Sequence, residues 1–326
     1  MSDKQRLDRK KMNRPAFYVG LIVILCLIPL FVKSPFYIHV FSLTLIYTIA
    51  TVSLRTVVIS GQLPLGHAAF MGIGAYTAGM ASRWLGLPSW LTIPLGAFVA
   101  MGVGILIGYP FARLRAIYYA MVSLFFGIGV LKIICAFGKW TGSLGGLTGV
   151  RPLFIGSRVP YYYFFVGLTS LSLLALYRFE FCRIGTNLKA ISQSHLVASS
   201  IGINEARYRV LVLAVGSFFV GLAGAAYAHY NSVVAPSSFD LLATLWLVIY
   251  TTVGGVKRFA GPIVGTVLLV IVPEVFRDLK MYTPYISAGI LLIVALFMPQ
   301  GLVGLPQIIW SWFKKGREGE MVNHVS

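Results

Sequence analysis

Arg178–Arg209 reads RFEFCRIGTNLKAISQSHLVASSIGINEARYR. No other internal stretch of this length carries charged and polar side chains throughout, and the segments on both sides are apolar enough to dissolve in lipid. Hydrophobic residues make up 58% of the 326-residue chain and charged residues 11%, where a soluble domain carries roughly a quarter. That is too little polar material to surface a soluble fold. The fold class expected is an all-α polytopic membrane protein in which 178–209 is the one large polar island.

A helical span needs about 20 mostly apolar residues. Runs that meet this lie at 15–32, 36–54, 62–82, 89–112, 116–137, 159–177, 210–231, 241–256, 261–276 and 282–299. That gives about ten transmembrane helices, with 62–82 Gly-rich enough to be re-entrant instead. Basic residues decide the doubtful case. With ten spans and the N-terminus inside, the cytoplasmic side carries 19 Lys and Arg and the outer side 7; if 62–82 fails to cross, the count is 13 on each side. The positive-inside rule favours ten spans, both termini cytoplasmic and the island cytoplasmic.

The net charge of +18 therefore reads as topology, not as a nucleic-acid surface: six basic residues fall in the first fourteen positions and others in short loops. Pro15–Val32 follows that basic tail without a small-x-small cleavage site and reads as a retained helix. Cys26, Cys135 and Cys182 form no CxxC and read as small hydrophobes, not a metal or disulfide set. The organisation expected is a basic tail 1–14, a membrane domain 15–299 containing the island, and an amphipathic end and tail over 300–326.

Chemistry is sparse. The nine acids are Asp3, Asp8, Glu180, Glu205, Asp240, Glu274, Asp278, Glu318 and Glu320. None falls mid-span under the assignment above, which argues against a proton-driven secondary transporter, though Na⁺ can be held by carbonyls, and against catalysis by paired carboxylates. There is no HExxH, no GxSxG and no GxxxxGK[ST]. The expectation is a non-catalytic subunit that binds no cofactor or metal and draws any energy from a partner.

The most distinctive apolar stretch is G61QLPLGHAAFMGIGAYTAGMAS82. Ala68, Gly72, Ala75, Gly79 and Ser82 fall on one helical stripe where another backbone can approach. Gly61, Pro64 and Gly66 break or delay the helix. Unwound backbone at membrane depth is tolerated only inside protein or along a watery path. Candidate pathway residues are Gly61, Gln62, Pro64, Gly66, His67, Phe70, Gly74 and Tyr76, with amides near Gly61–Gly66 available to a carboxylate. His67 fits two readings: a pathway side chain, or one bonded to a freed carbonyl in a packing seam. Ala214, Ser217, Gly221 and Gly224 or Ala225 make a second seam. The Gly- and Thr-rich loop T141GSLGGLTGV150 reads as a flexible gate, a docking surface or a plain linker. Within the island, Leu188–Ile203 reads as one short helix, capped by Thr186 or Asn187 and ending near Gly202. Its small residues suit a groove on another protein.

Four segments resemble a known family: GQLPLGHAAFMGIGAYTA, the TGSLGGLTG loop, LKAISQSHLVASSIGINEARYRVLVLAVGSFFVGLAGAAYA and VGGVKRFAGPIVGTVLLVIVPEVFR. With their flanking spans they make the chain similar to LivM-type permeases of ATP-binding-cassette importers for branched-chain amino acids. The resemblance implies alternating access in the bacterial cytoplasmic (inner) membrane. Its implied partners are a homologous permease subunit, two cytoplasmic ATP-binding-cassette ATPases that use the ATP, and an extracytoplasmic substrate-binding protein. It makes the island a coupling segment for an ATPase, with Lys189, Ala190, Ser194, His195, Ala198, Gly202 and Asn204 as its residues. The family carries acids around Gln193, Ser194, His195 and Ser199, which are uncharged here. The family also includes importers of urea and other small amides. An ATP-independent carrier or channel is the rival of another class.

Overall fold

A computed structural model describes residues 34–114, 116–154, 156–275 and residue 289. The expected span 15–32, the span 282–299 apart from residue 289, and both tails lie outside the described residues. Each of the eight remaining expected spans contains a helix, that of 62–82 beginning only at His67. Helix α1 (Pro35–Val58) opens on a proline, whose missing amide costs nothing at a first helical position. Then come α2 (His67–Trp84), α3 (Ser89–Phe111) and α4 (Ala116–Ala136). The short α5 (Gly138–Thr141) and strand β1 (Leu147–Thr148) lead to α6 (Val159–Phe181). The island forms α7 (Arg183–Gln193) and α8 (His195–Ser200). Helix α9 (Glu205–Asn231), strand β2 (Val233–Val234), α10 (Leu241–Gly254) and α11 (Gly261–Val275) complete the described chain. Six of its helical segments are long and apolar enough to cross a membrane.

Backbone contact organises the bundle. The 27-residue α9 lies against α3, α2 and α1. A Cβ on Gly74 of α2 would collide with the Gly221 carbonyl of α9, one on Gly224 with the Met71 carbonyl, and one on Gly96 of α3 with the Gly74 carbonyl. In lipid, helices gain little from burying apolar surface against each other, so close approach through small residues supplies the packing. The seam expected at Ser217, Gly221 and Gly224 is present, since Ser217 meets Gly104 of α3. The stripe expected on α2 is corrected. Gly72 and Gly79 face the side chains of Phe239 and Leu147, while the backbone-to-backbone contact is made at Gly74 and Met71. Sequence spacing finds a row of small residues but not which row faces a main chain.

Polar contacts define two ends. Arg209 donates to the carbonyls of Ala112 and Leu114, and Arg55 reaches Glu180 and the Val256 carbonyl, joining three turns to the island. At the other end Arg83 donates to the Thr148 carbonyl, Arg151 to the Gly86 carbonyl, and the Trp84 indole to the Trp140 carbonyl. The chain from Ile59 to Trp84 therefore runs from the island end to the opposite end.

The Gly-rich loop is more structured than expected. Gly142 and Gly146 adopt positive φ, and β1 pairs antiparallel with β2, Leu147 opposite Val234. This two-residue ladder departs from the all-helical expectation.

Candidate functional site

The site is built around the break between α1 and α2. Gly61 turns the chain at φ +82°, residues 62–64 are irregular, and α2 begins only at His67. Gly216 of α9 lies beside His67 and Val57, so α2 starts alongside the last turns of α1, inside the bundle. Backbone amides inside a membrane bundle need partners, and four here have them. The Leu65 amide donates to the Ser123 hydroxyl at 3.0 Å and the Ala68 amide to the Thr244 hydroxyl at 3.1 Å. The His67 and Ala69 amides use the carbonyls of Pro64 and Gly66. Of the amides considered for a carboxylate near Gly61–Gly66, that of Leu65 is already taken by a side chain of α4, and the neighbouring Ala68 amide by one of α10.

His67 is fully buried, and its Nε2 lies 3.0 Å from the Ser53 hydroxyl of α1. Ser53 also donates to the Ala50 carbonyl at 2.7 Å. With its one hydrogen so used, Ser53 accepts from His67 Nε2–H. The partner is thus a hydroxyl, not the freed carbonyl of the packing-seam reading. Buried Gln62 Nε2 and His67 Nδ1 have no hydrogen-bond partner among the described residues.

Beside the break lies a small recess, lined by Leu65, Gly66 and Ala69, by Leu124, Gly127 and Ile128 of α4, and by Phe239, Asp240, Leu241 and Thr244. Its walls are mostly apolar and its one charge is the Asp240 carboxylate. Asp240 caps α10 by accepting from the Ala243 amide at 3.0 Å. Leu124–Ile128 are the middle of α4, so this acid stands level with mid-helix. Asp240 thus lies outside the helices, as the sequence implied, yet lines a recess beside the middle of α4. Of the expected pathway residues only Gly66 lines the recess. Phe70 packs on Phe126, Gly74 against Gly221, and the Tyr76 hydroxyl donates to the Val234 carbonyl at 3.0 Å. Pro64 is buried and Gly61 exposed.

The island also differs from the expected single helix. Ser194 is extended (φ −159°, ψ 110°) and splits it, and the Ser194 hydroxyl accepts from the Val197 amide as the cap of α8. Neither Thr186 nor Asn187 is a helix cap. Asn187 instead donates to the Tyr208 hydroxyl at 2.7 Å. Leu188, Ile191 and Ala198 face inward, as the apolar stripe implied. Ala190 and His195 are half-buried, Gly202 (φ +82°) makes the turn into α9, and Asn204 caps α9 through the Arg207 amide. The surface facing outward was missed from sequence: Leu196, Val197 and Ile201 are 69%, 62% and 69% exposed.

Two charges assigned to loops are buried. Arg55, in the last turn of α1, and Glu180, next to last in α6, are 1% and 4% exposed and form a bidentate pair. Lys189 adds a second cation, its Nζ 3.0 Å from Glu180 Oε1.

Residues 36–299 match the family model for the permease component of branched-chain amino acid transport systems. The chain is similar to the high-affinity branched-chain amino acid transport system permease protein LivM of Salmonella typhimurium (strain LT2), 27% identical over 93% of this chain and 78% of that protein. The LivM of Escherichia coli (strain K12) gives the same figures. A weaker similarity, 28% over 43% of the chain and 46% of the relative, is to the permease protein LivH of Escherichia coli (strain K12). No solved structure matches. The family match over most of the chain and the row of apolar helices lead to one assignment: this is a multi-pass membrane protein belonging to the permease-component family of branched-chain amino acid transport systems.

Proposed function

We propose that the chain forms one half of the transmembrane pathway of an ATP-driven importer for branched-chain amino acids in the bacterial cytoplasmic membrane, working by alternating access. A homologous permease supplies the other half, two cytoplasmic ATPases supply the energy, and an extracytoplasmic binding protein delivers the substrate. The chain itself contributes no catalysis and holds no nucleotide.

The observation that carries this reading is the outward face of α8. Leu196, Val197 and Ile201 stand exposed on the polar island while Ala198 behind them is buried. Exposed aliphatic side chains on an otherwise polar, water-facing segment need a protein partner to cover them. The recess beside Gly66 fits the substrate class: apolar walls suit an aliphatic side chain, and the Asp240 carboxylate suits an ammonium group better than it suits neutral urea. The recess itself has room for little more than a water molecule, so the enclosure of a substrate falls to the second permease.

The test is reconstitution in liposomes. With the ATPases, sister permease and binding protein present, labelled leucine, isoleucine or valine should accumulate only with ATP inside. This chain alone should pass none of them. Flux through the chain alone, or ATP-driven uptake of urea but not of leucine, would sink the proposal.

A further inference from the structure

The buried ion cluster at the island end links more elements than any other polar contact described. Glu180 accepts from Arg55 through both carboxylate oxygens, at 2.5 and 3.1 Å, and from Lys189 at 3.0 Å. Each partner ties Glu180 to a different element. Arg55 belongs to α1, and its Nε donates to the Val256 carbonyl at 2.8 Å while its guanidinium lies over the Phe259 ring; both belong to the turn between α10 and α11. Lys189 belongs to α7 and also sits 4.9 Å above the Phe181 ring. Gly185, one turn before Lys189, is pressed against the Glu180 main chain, where a Cβ would clash with the carbonyl. Helix α7 is thus clamped to the end of α6 by backbone and by charge.

The same face of α7 reaches the break before α2. Ser192, three residues after Lys189 and so on the same face, is the nearest neighbour of Gly61, in van der Waals contact with the space a Cβ there would occupy. One short helix therefore touches α6 and α1 through Glu180, and the α1–α2 break through Gly61.

A buried ion pair is a poor means of stabilising a fold, because desolvation offsets most of the attraction, and apolar replacements of the pair are often neutral or better. Its geometry is nevertheless directional. We infer that Glu180 is a positioning residue that transmits displacement of the island to α1, to the α10–α11 turn and to the break before α2. Lys189 is the link on the island side and Arg55 the link on the bundle side. This rests on the proposed role of α7 and α8 as the segment that docks on an ATPase.

The test uses the full reconstituted complex with its ATPases, sister permease and binding protein. It reads leucine transported per ATP hydrolysed, alongside melting temperature and ATPase co-purification. Wild type is run first; absence of ATP-dependent leucine uptake there refutes the proposed function and not this link. The double variant Arg55→Met/Glu180→Leu removes both buried charges together. It should assemble, melt near the wild-type temperature and hydrolyse ATP, yet move about tenfold less leucine per ATP. An unchanged ratio would overturn the inference, as would a loss of transport matched by an equal loss of ATPase association. Lys189→Met leaves the buried Arg55–Glu180 pair intact and cuts only its tie to α7. It should lower leucine per ATP in the same direction at unchanged stability. If the double variant does not assemble, Lys189→Met decides alone, and a wild-type ratio in it overturns the inference.

Discussion

The Gly221 carbonyl of α9 occupies the position where a side chain on Gly74 of α2 would begin. The two main chains touch, and α3 packs against both, Gly96 on the Gly74 carbonyl and Ala100 on Gly221. Gly74→Val should therefore force the helices apart, an overpacking cost of about 1–3 kcal/mol. It would be seen as a lower melting temperature of the detergent-purified complex. Gly167 in α6 has nothing within 4 Å of its Cβ position, so Gly167→Ala is the matched control. It should leave melting unchanged or raise it slightly, since alanine favours a helix by roughly 0.5–1 kcal/mol over glycine.

The late start of α2 depends on two hydroxyls from distant helices. Thr244 accepts from the Ala68 amide in a site where both residues are buried. Thr244→Val keeps the shape and removes the acceptor, leaving a buried amide unsatisfied at about 1–3 kcal/mol. Thr244→Ser keeps the acceptor and should stay close to wild type. Melting temperatures of the two variants give the comparison, and equal values would show that the hydroxyl does not cap α2.

Local chemistry could be read from the chain and distant partnerships could not. Gly61, Pro64 and Gly66 signalled a delayed helix because glycine and proline act on their own backbone. Ser123 and Thr244, which satisfy the freed amides, lie 58 and 176 residues away, and no periodicity connects them to the break. Arg55, Glu180 and Asp240 sit at the ends of apolar runs, where hydropathy treats a buried ion pair or a recess carboxylate as a solvated loop charge. The break at Ser194 was legible in principle, since a serine three residues before an amide is a capping signal. The continuous apolar stripe through Leu188, Ile191 and Ala198 masked it. The same stripe drew attention to Ala198, which is buried, and away from its neighbours Leu196 and Val197, which are exposed.

That reversal decides how the docking surface should be probed. A large residue at Ala198 would be forced into the bundle and at Gly202 into a positive-φ turn, so either would damage the island for reasons unrelated to a partner. Leu196→Asp and Val197→Asp change only exposed atoms. Each should insert and melt like wild type, because surface changes away from buried features stay within about 0.5 kcal/mol. Co-purification of the ATPase and ATP-dependent leucine uptake should both fall sharply. Normal uptake in the doubly substituted chain would remove α8 from the docking surface.

Asp240 serves as a helix cap and as the only charge lining the recess, and one substitution separates the two roles. Asparagine keeps an acceptor oxygen for the Ala243 amide and caps about as well as aspartate, so Asp240→Asn should fold and melt like wild type. It removes the negative charge from an apolar recess level with the middle of α4. A hydrogen bond to a charged group contributes about 1.5–3 kcal/mol. If the substrate ammonium passes this carboxylate, uptake of leucine should fall by roughly tenfold or more while ATPase association is unchanged. Asp240→Leu loses cap and charge together and should show both lower melting and lower uptake. Wild-type uptake by Asp240→Asn, with destabilisation confined to Asp240→Leu, would leave Asp240 with the capping role alone and direct the search for the ammonium partner to the second permease.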